Sequence, residues 1–320
     1  MSAAPTVVAL RALGLGDLLT GLPALRALRR ALPEHRRVLV TGPSLAELAL
    51  HAGAADEVVA ATGLGPLPPT LAGADIAVNL HGRGPGSSRL LVDLAPGRLV
   101  AFSHDEVAES SGGPPWRADE HEVQRWCRLL SWSGIPADPG DLSLADPGRP
   151  LPAWAGGATL VHPGAASEAR RWPVARFAAV ALAERRAGRE VVVTGGPAER
   201  RRAEAVAAEA GLDPGRVMAG RTDLFELASL VAAAGRVVAG DTGVAHLATA
   251  LGTPSVVLFG PTPPSLWGPP PGGRHLALWA GTTGDPHAAV VDPGLASIGV
   301  DEVLEALARL PLDPLVRSPS

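Results

Sequence analysis

Residues 6–33 read TVVALRALGLGDLLTGLPALRALRRALP and combine a short apolar run, a glycine-rich turn and a longer segment of helical period. The β-branched run Thr6–Leu10 is typical of a buried strand, and Asp17–Ala31 repeats apolar residues at helical spacing. Gly14 and Gly16 allow a tight turn and the close approach of a ligand. The stretch therefore predicts a strand–turn–helix unit, from which parallel α/β sheets are built.

Strand-like runs and helical segments alternate along the rest of the chain, a pattern typical of parallel sheets with helices on both faces. Further strands are predicted at Arg37–Thr41, Asp75–Leu80, Arg98–Phe102, Ala158–His162, Glu190–Thr194, Arg236–Ala239 and Ser255–Phe259. Further helices are predicted at Ser44–Ala52, Val174–Ala187, Ala198–Ala210, Leu224–Ala234 and Thr242–Leu251. The alternation stops between about Ile135 and Gly157, where proline, glycine and aspartate concentrate.

This interruption divides the sequence into two halves of the same organisation. We predict an α/β protein of two Rossmann-like, doubly wound domains, residues 1–150 and 151–320, that face a central cleft. In such sheets ligands bind beyond the carboxyl ends of the strands. The loops that follow strands are therefore where functional residues are expected.

The composition excludes several classes of function. The 320 residues include 28 basic and 32 acidic side chains, a net charge of −4, so the basic excess needed for nonspecific nucleic-acid binding is missing. Every basic residue is arginine. Cys127 is the single cysteine, which rules out an intrachain disulfide and favours a reducing cytoplasm. No apolar run reaches the ~18–20 residues that span a bilayer, so at most peripheral membrane contact is expected.

Asp17 follows the first glycine turn, at the position that the spacing predicts as the N-cap of the first helix. Aspartate is a common N-cap, so capping alone explains its presence. Dinucleotide binding is less favoured, because the G-x-G-D spacing lacks the third glycine of the fingerprint and no acidic residue closes a second strand. A carboxylate at the carboxyl end of a strand is also where a general base would lie.

The stretch from Asp241 to Trp267 forms a second candidate site. Asp241 is predicted to cap a helix whose first turn contains Thr242 and Gly243, and the exposed amides of such a turn suit a diphosphate. His246 lies one turn further along, on the same helical face. A capped helix with a histidine is ordinary, but the turn-rich loop after the next strand adds to the case for an anion site.

Three segments together resemble glycosyltransferase family 9, the lipopolysaccharide heptosyltransferases. They are GLGDLLTGLPALRALRRALP at residues 14–33, HPGAASEARRWPVARFAAVA at 162–181 and GDTGVAHLATALGTPSVVLFGPT at 240–262, in the order that the family has. The resemblance implies a GT-B fold whose first domain binds the acceptor and whose second binds a nucleotide sugar. It also implies transfer of heptose from an ADP-linked donor, with inversion and without a metal or other cofactor.

The resemblance also implies a role for each candidate residue. Asp17, in the glycine loop of Gly14 and Gly16, is the general base. Glu199 accepts hydrogen bonds from the ribose, and Asp241 caps the phosphate helix. The donor phosphates are bound by Thr242, Gly243, His246, Arg170 and Arg171. Arg170 stands where the family usually has lysine. Arg171 is also explained as surface charge. Glu199 is also explained as an acidic residue in the first turn of a helix, where the helix dipole favours it.

We therefore predict an inverting, metal-independent glycosyltransferase of the cytoplasm that uses ADP-heptose or a close relative. Its acceptor is a hydroxyl of a glycolipid, another glycan or a small molecule. A nucleotide-sugar 2-epimerase and a non-catalytic nucleotide-sugar-binding protein remain as alternatives; a dehydrogenase is less favoured. The loop Asn79–Arg83 receives little weight as an acceptor contact, and the closing helix Val300–Leu310 is expected to pack back on the first domain.

Overall fold

The computed structural model describes residues 4–311, so residues 312–320 of the predicted second domain lie outside the described part. The chain divides into two compact units, Met1–Leu142 and Ser143–Ser320. Each contains a five-stranded, fully parallel sheet flanked by helices. The division falls in the proline-rich segment, and no helix within residues 4–311 is long and apolar enough to cross a membrane.

The first unit has the strand order β3-β2-β1-β4-β5. Its strands are β1 (Thr6–Leu10), β2 (Arg36–Thr41), β3 (Glu57–Ala60), β4 (Ile76–Asn79) and β5 (Arg98–Val100). Its helices are α1 (Leu15–Ala31), α2 (Ala46–His51), α3 (Gly86–Val92) and α4 (Glu122–Trp132). The order reverses between β1 and β4, where Leu10 pairs with Asn79.

The second unit has the order β10-β9-β8-β6-β7, which reverses between β6 and β8. Its strands are β6 (Thr159–His162), β7 (Val191–Val193), β8 (Arg236–Gly240), β9 (Ser255–Phe259) and β10 (His275–Trp279). Its helices are α5 (Val174–Arg186), α6 (Arg200–Glu209), α7 (Leu224–Ala233), α8 (Gly243–Leu251), α9 (Pro264–Trp267), α10 (Pro293–Ser297) and α11 (Val300–Arg309).

All eight predicted strands form, with ends that move by at most two residues. The two strands that the sequence pattern did not indicate, β3 and β10, lie at sheet edges and are only partly buried. Central strands such as β8 and β9 are buried along their whole length, because helices cover both faces of a parallel sheet. Strands buried on both faces carry uninterrupted apolar residues, and these runs are what predicted the central strands from the sequence.

The closing helix α11 lies in the core of the second unit. Val303, Ala306 and Leu307 are buried in the same cluster as Val161 of β6, and the Leu307 carbonyl accepts a hydrogen bond from Arg236 at 3.2 Å. The apolar face of this helix is thus used inside the second unit, and its packing back on the first domain stays a prediction.

Candidate active site

Four loops lie next to the two reversals of strand order and are the expected ligand-binding loops. In open α/β sheets, ligands bind beyond the carboxyl ends of the strands where the order reverses. In the first unit these are the loops after β1 and β4, and in the second the loops after β6 and β8. Every residue singled out from the sequence lies on one of these loops or on the helix that follows, apart from Glu199, which follows β7.

Asp17 lies in the first turn of α1, not at its N-cap. The N-cap is Gly14, three residues earlier, and the Asp17 Oδ2 accepts a hydrogen bond from the Gly14 backbone N–H at 3.1 Å. The helix begins early because Gly14 is extended and leaves its amide for the carboxylate. About a quarter of the Asp17 side chain, 27%, remains exposed.

A fully buried arginine lies behind Asp17. Arg11 donates through Nε to the Asp17 carbonyl and through Nη1 to the Leu80 carbonyl. Its Nη2 donates to Thr20 Oγ1 and to Glu122 Oε1, each at 3.1 Å, and lies 3.8 Å from Asp17 Oδ1. This single guanidinium therefore connects the loop after β1 with the loop after β4.

Glu122 supplies the charge that balances Arg11. It is itself buried, accepts a hydrogen bond from Trp126 Nε1 at 2.7 Å and pairs with Arg125. Gly21 makes room for the network, because a Cβ on Gly21 would lie 2.8 Å from Arg11 Nε. Neither Arg11 nor Glu122 was singled out from the sequence, although a charged residue directly after a buried strand was the available signal.

His81 lies at the start of the loop after β4. Its backbone N–H donates to Asn79 Oδ1 at 3.0 Å, and the fully buried Asn79 donates to the hydroxyls of Ser87 and Ser88. Burial lowers the pKa of His81, Arg11 lowers it further, and Asp17 raises it. The sequence pattern gives little reason to place an acceptor contact on this loop, yet His81 lies close enough to Asp17 to feel its charge.

In the second unit, β8 leads directly into the predicted anion site. Thr242, in an extended conformation, is the N-cap of α8, so the expectation that Asp241 caps this helix is off by one residue. Asp241 is buried just before the cap. The helix ends at Gly252 in the left-handed region, φ 72°, as predicted. The ring of His246 packs edge-on against Trp267, 5.8 Å between centroids.

The two arginines after β6 have different surroundings. Arg170 Nη1 lies 3.4 Å from the Asp241 carbonyl and 3.9 Å from its carboxylate, which brings the loops after β6 and β8 together. Arg171 pairs with Glu168 and donates to the Ala165 carbonyl at 2.9 Å, both within its own loop. The structure therefore unites Arg170, and not Arg171, with the start of α8.

Glu199 reaches back from the loop after β7 to the same edge of the sheet. Its Oε2 accepts the Gly196 N–H at 2.7 Å and lies 3.8 Å from His162 Nε2. Its carboxylate fills the space where a Cβ on Gly164 would stand, 2.1 Å away. Burial lowers the pKa of His162, whose Nδ1 is 3.0 Å from Thr194 Oγ1. Glu199 thus adjoins the loop that carries Arg170.

The two units thus differ in the groups that they present at their strand ends. The first presents a partly exposed carboxylate, and the second presents helix amides and a guanidinium that suit an anion. Within residues 4–311, no group of three or more His, Cys, Asp or Glu side chains could hold a metal ion.

The sequence matches the family model described as Glycosyltransferase family 9 (heptosyltransferase) over residues 115–287, slightly more than half of the chain. A comparison with curated proteins found no match. The matched residues include the loops after β6 and β8 described above.

Solved structures of low sequence identity share the fold. The glycosyl transferase family 9 structure from Veillonella parvula is 22% identical, with a TM-score of 0.77 over 96% of this chain and 98% of that one. Escherichia coli heptosyltransferase WaaC with ADP-2-deoxy-2-fluoro heptose is 20% identical, with a TM-score of 0.70 over 95% and 99%. The iron-containing dodecameric TibC of E. coli is 13% identical, with a TM-score of 0.61 over 97% and 76%. The predicted GT-B architecture is confirmed.

Proposed function

Because the chain belongs to glycosyltransferase family 9, we propose that it transfers heptose from ADP-heptose, or from a close relative, to an acceptor hydroxyl. The observation that supports a diphosphate-linked donor most directly is the start of α8 at the switch point of the second sheet, with Arg170 beside it. Family membership does not favour the alternatives of a 2-epimerase or a non-catalytic binding protein.

We propose that the second domain, residues 151–320, binds the donor. As the bond between the anomeric carbon and the diphosphate breaks, negative charge grows on the leaving phosphate. The amides of Thr242 and Gly243, at the positive end of α8, can stabilise that charge. Arg170 adds a guanidinium that can bind phosphate through two parallel hydrogen bonds, and His246 lies one turn along the helix.

The remaining donor-side residues take supporting roles in this proposal. Glu199 uses one carboxylate oxygen for the Gly196 amide and has lone pairs left for ribose hydroxyls. Arg171 pairs with Glu168, which offsets part of the charge that it would offer to the phosphates. The Asp241 carboxylate would repel phosphate on its own, and the Arg170 guanidinium 3.9 Å away offsets its charge.

We propose that the first domain, residues 1–150, binds the acceptor and that Asp17 is the general base. The acceptor oxygen attacks the anomeric carbon, Asp17 takes the proton of that hydroxyl, and the nucleoside diphosphate leaves with the electrons of the broken bond. A single displacement of this kind inverts the anomeric configuration. The acceptor is a glycolipid, another glycan or a small molecule, and the reaction is placed in the cytoplasm.

Isothermal calorimetry with ADP-, GDP-, UDP- and dTDP-sugars tests the donor. We expect the ADP-sugar to bind at least about 10-fold more tightly than the others, a difference of roughly 1.4 kcal/mol. Equal affinity for all four would mean that only the diphosphate is recognised, and tighter binding of another nucleotide would replace ADP in the proposal.

Arg170→Ala and Arg171→Ala form a matched pair. Because Arg170 reaches the start of α8 and Arg171 pairs with Glu168, Arg170→Ala should weaken ADP binding by about 10-fold or more, as expected for a charge-assisted hydrogen bond. Arg171→Ala should change it by less than about threefold. The reverse order would exchange the roles of the two side chains.

Asp17→Asn removes the base while keeping nearly the same shape. We expect transfer to fall by about 100-fold or more, since general-base catalysis contributes that much, while calorimetry shows unchanged ADP affinity. An equal loss of transfer rate and ADP affinity would contradict the role of Asp17 as the base and would indicate a folding defect.

Excess EDTA should leave turnover unchanged, because helix amides and Arg170 are proposed to provide the positive charge at the leaving group. The experiment compares initial rates with and without chelator after overnight dialysis. A rate that falls with EDTA and returns with one added metal ion would show that a cation takes part.

A further inference from the structure

The loops after β1 and β4 are held together behind Asp17 by Arg11. The guanidinium donates to the carbonyls of Asp17 and Leu80, and the Thr20 hydroxyl lies within hydrogen-bond distance of the carbonyls of Gly16, at 2.9 Å, and Asp17, at 3.1 Å. Arg11 is fully buried, so its charge cannot reach solvent. A buried guanidinium with this many fixed acceptors is rigid, and it sets the position of both loops.

The peptide that joins Leu80 to His81 is held at both of its polar atoms. Arg11 binds its carbonyl, and Asn79 Oδ1 accepts its N–H at 3.0 Å. Asn79 is anchored in turn by Ser87 and Ser88 at the start of α3, at 3.0 and 2.9 Å. With the peptide plane fixed, the position of the His81 Cα, which lies in that plane, is fixed as well.

The imidazole of His81 is only partly buried, and its two nitrogens differ. Nδ1 is enclosed and has no hydrogen-bond partner within the described residues, which leaves Nε2 as the nitrogen that can serve a ligand. Burial and Arg11 both lower the pKa of His81, so the ring is neutral near pH 7. In the neutral tautomer that carries its hydrogen on Nε2, the ring can donate that hydrogen to a ligand.

We propose that His81 is a second substrate-contacting residue of the acceptor site, and that Arg11 is the positioning residue that sets it against Asp17. The hydroxyl donates its hydrogen to Asp17 and accepts one from His81 Nε2, which leaves one lone pair for the anomeric carbon. Two fixed partners thus orient the attacking oxygen. This inference rests on the proposed role of Asp17 as the base.

The pKa of the His81 imidazole, measured by NMR titration of the full chain, tests the pairing without any substrate. Asp17→Asn removes a negative charge and should lower this pKa, whereas Arg11→Met removes a positive charge and should raise it. Arg11→Lys keeps the positive charge and should leave this pKa nearly unchanged, which separates loss of charge from loss of the guanidinium hydrogen bonds. Glu47→Gln, an exposed acid on α2, is the control and should have no effect. A pKa that Asp17→Asn leaves unchanged would overturn the pairing.

Hydrolysis of ADP-heptose, in which water replaces the acceptor, tests the contact with the nucleophile. His81→Ala should lower kcat about 10-fold with an unchanged KM for ADP-heptose, as for loss of one hydrogen bond to the reacting oxygen. His81→Gln keeps an N–H donor and should restore part of the rate, while the exposed His51→Gln should have no effect. Arg11→Lys should lower kcat without changing ADP affinity.

The outcomes separate this inference from the proposed function. If Asp17→Asn abolishes hydrolysis and His81→Ala does not alter it, the base role stands and the His81 contact is wrong. If Asp17→Asn leaves hydrolysis intact, the base role fails, whatever the NMR titration shows.

Discussion

Parallel strand pairing around a reversal of strand order is the constraint on which both halves of this protein depend. All strands of a parallel sheet end at one edge, and only at the reversal do two neighbouring strands send their helices to opposite faces. The gap opens between β1 and β4 in the first unit and between β6 and β8 in the second. Asp17 and His81 follow the first pair, and Arg170 and Thr242 follow the second.

The arginines at the carboxyl edges of the two sheets differ in their exposure to solvent. Arg11 is removed from solvent, and the cost of burying it is offset by carbonyls, a hydroxyl and Glu122. It thereby fixes backbone and leaves the exposed chemistry to Asp17. Arg170 keeps 23% of its side chain exposed. A charged side chain can bind a ligand only if it is accessible, whereas a buried charge has to be paired and hydrogen-bonded within the protein.

Local sequence patterns were sufficient for the alternation of elements, the glycine turn and the closing Gly252, because each depends on residues close in the chain. These patterns did not predict features that depend on a residue distant in the sequence. Asp17 was expected at the N-cap, but the extended Gly14 starts the helix earlier. The role of Arg11 depends on its distant partner Glu122, and that of His81 depends on the pairing of β1 with β4. Hydrophobic periodicity along the chain predicts neither contact. Edge strands β3 and β10 were missed, and both are only partly buried in the sheet.

The absence of lysine from the chain has its clearest consequence at Arg170. Its bond to the Asp241 carbonyl is long, 3.4 Å, and its buried Nε lacks a partner within the described residues. A guanidinium has five N–H donors in a fixed plane, so it can keep this backbone contact and still offer a fork to phosphate. A lysine ammonium would concentrate its charge at one point and lacks the planar fork that binds two oxygens in parallel. Arginine at this position can therefore keep its contact with the backbone just before α8 and present a planar fork to an anion.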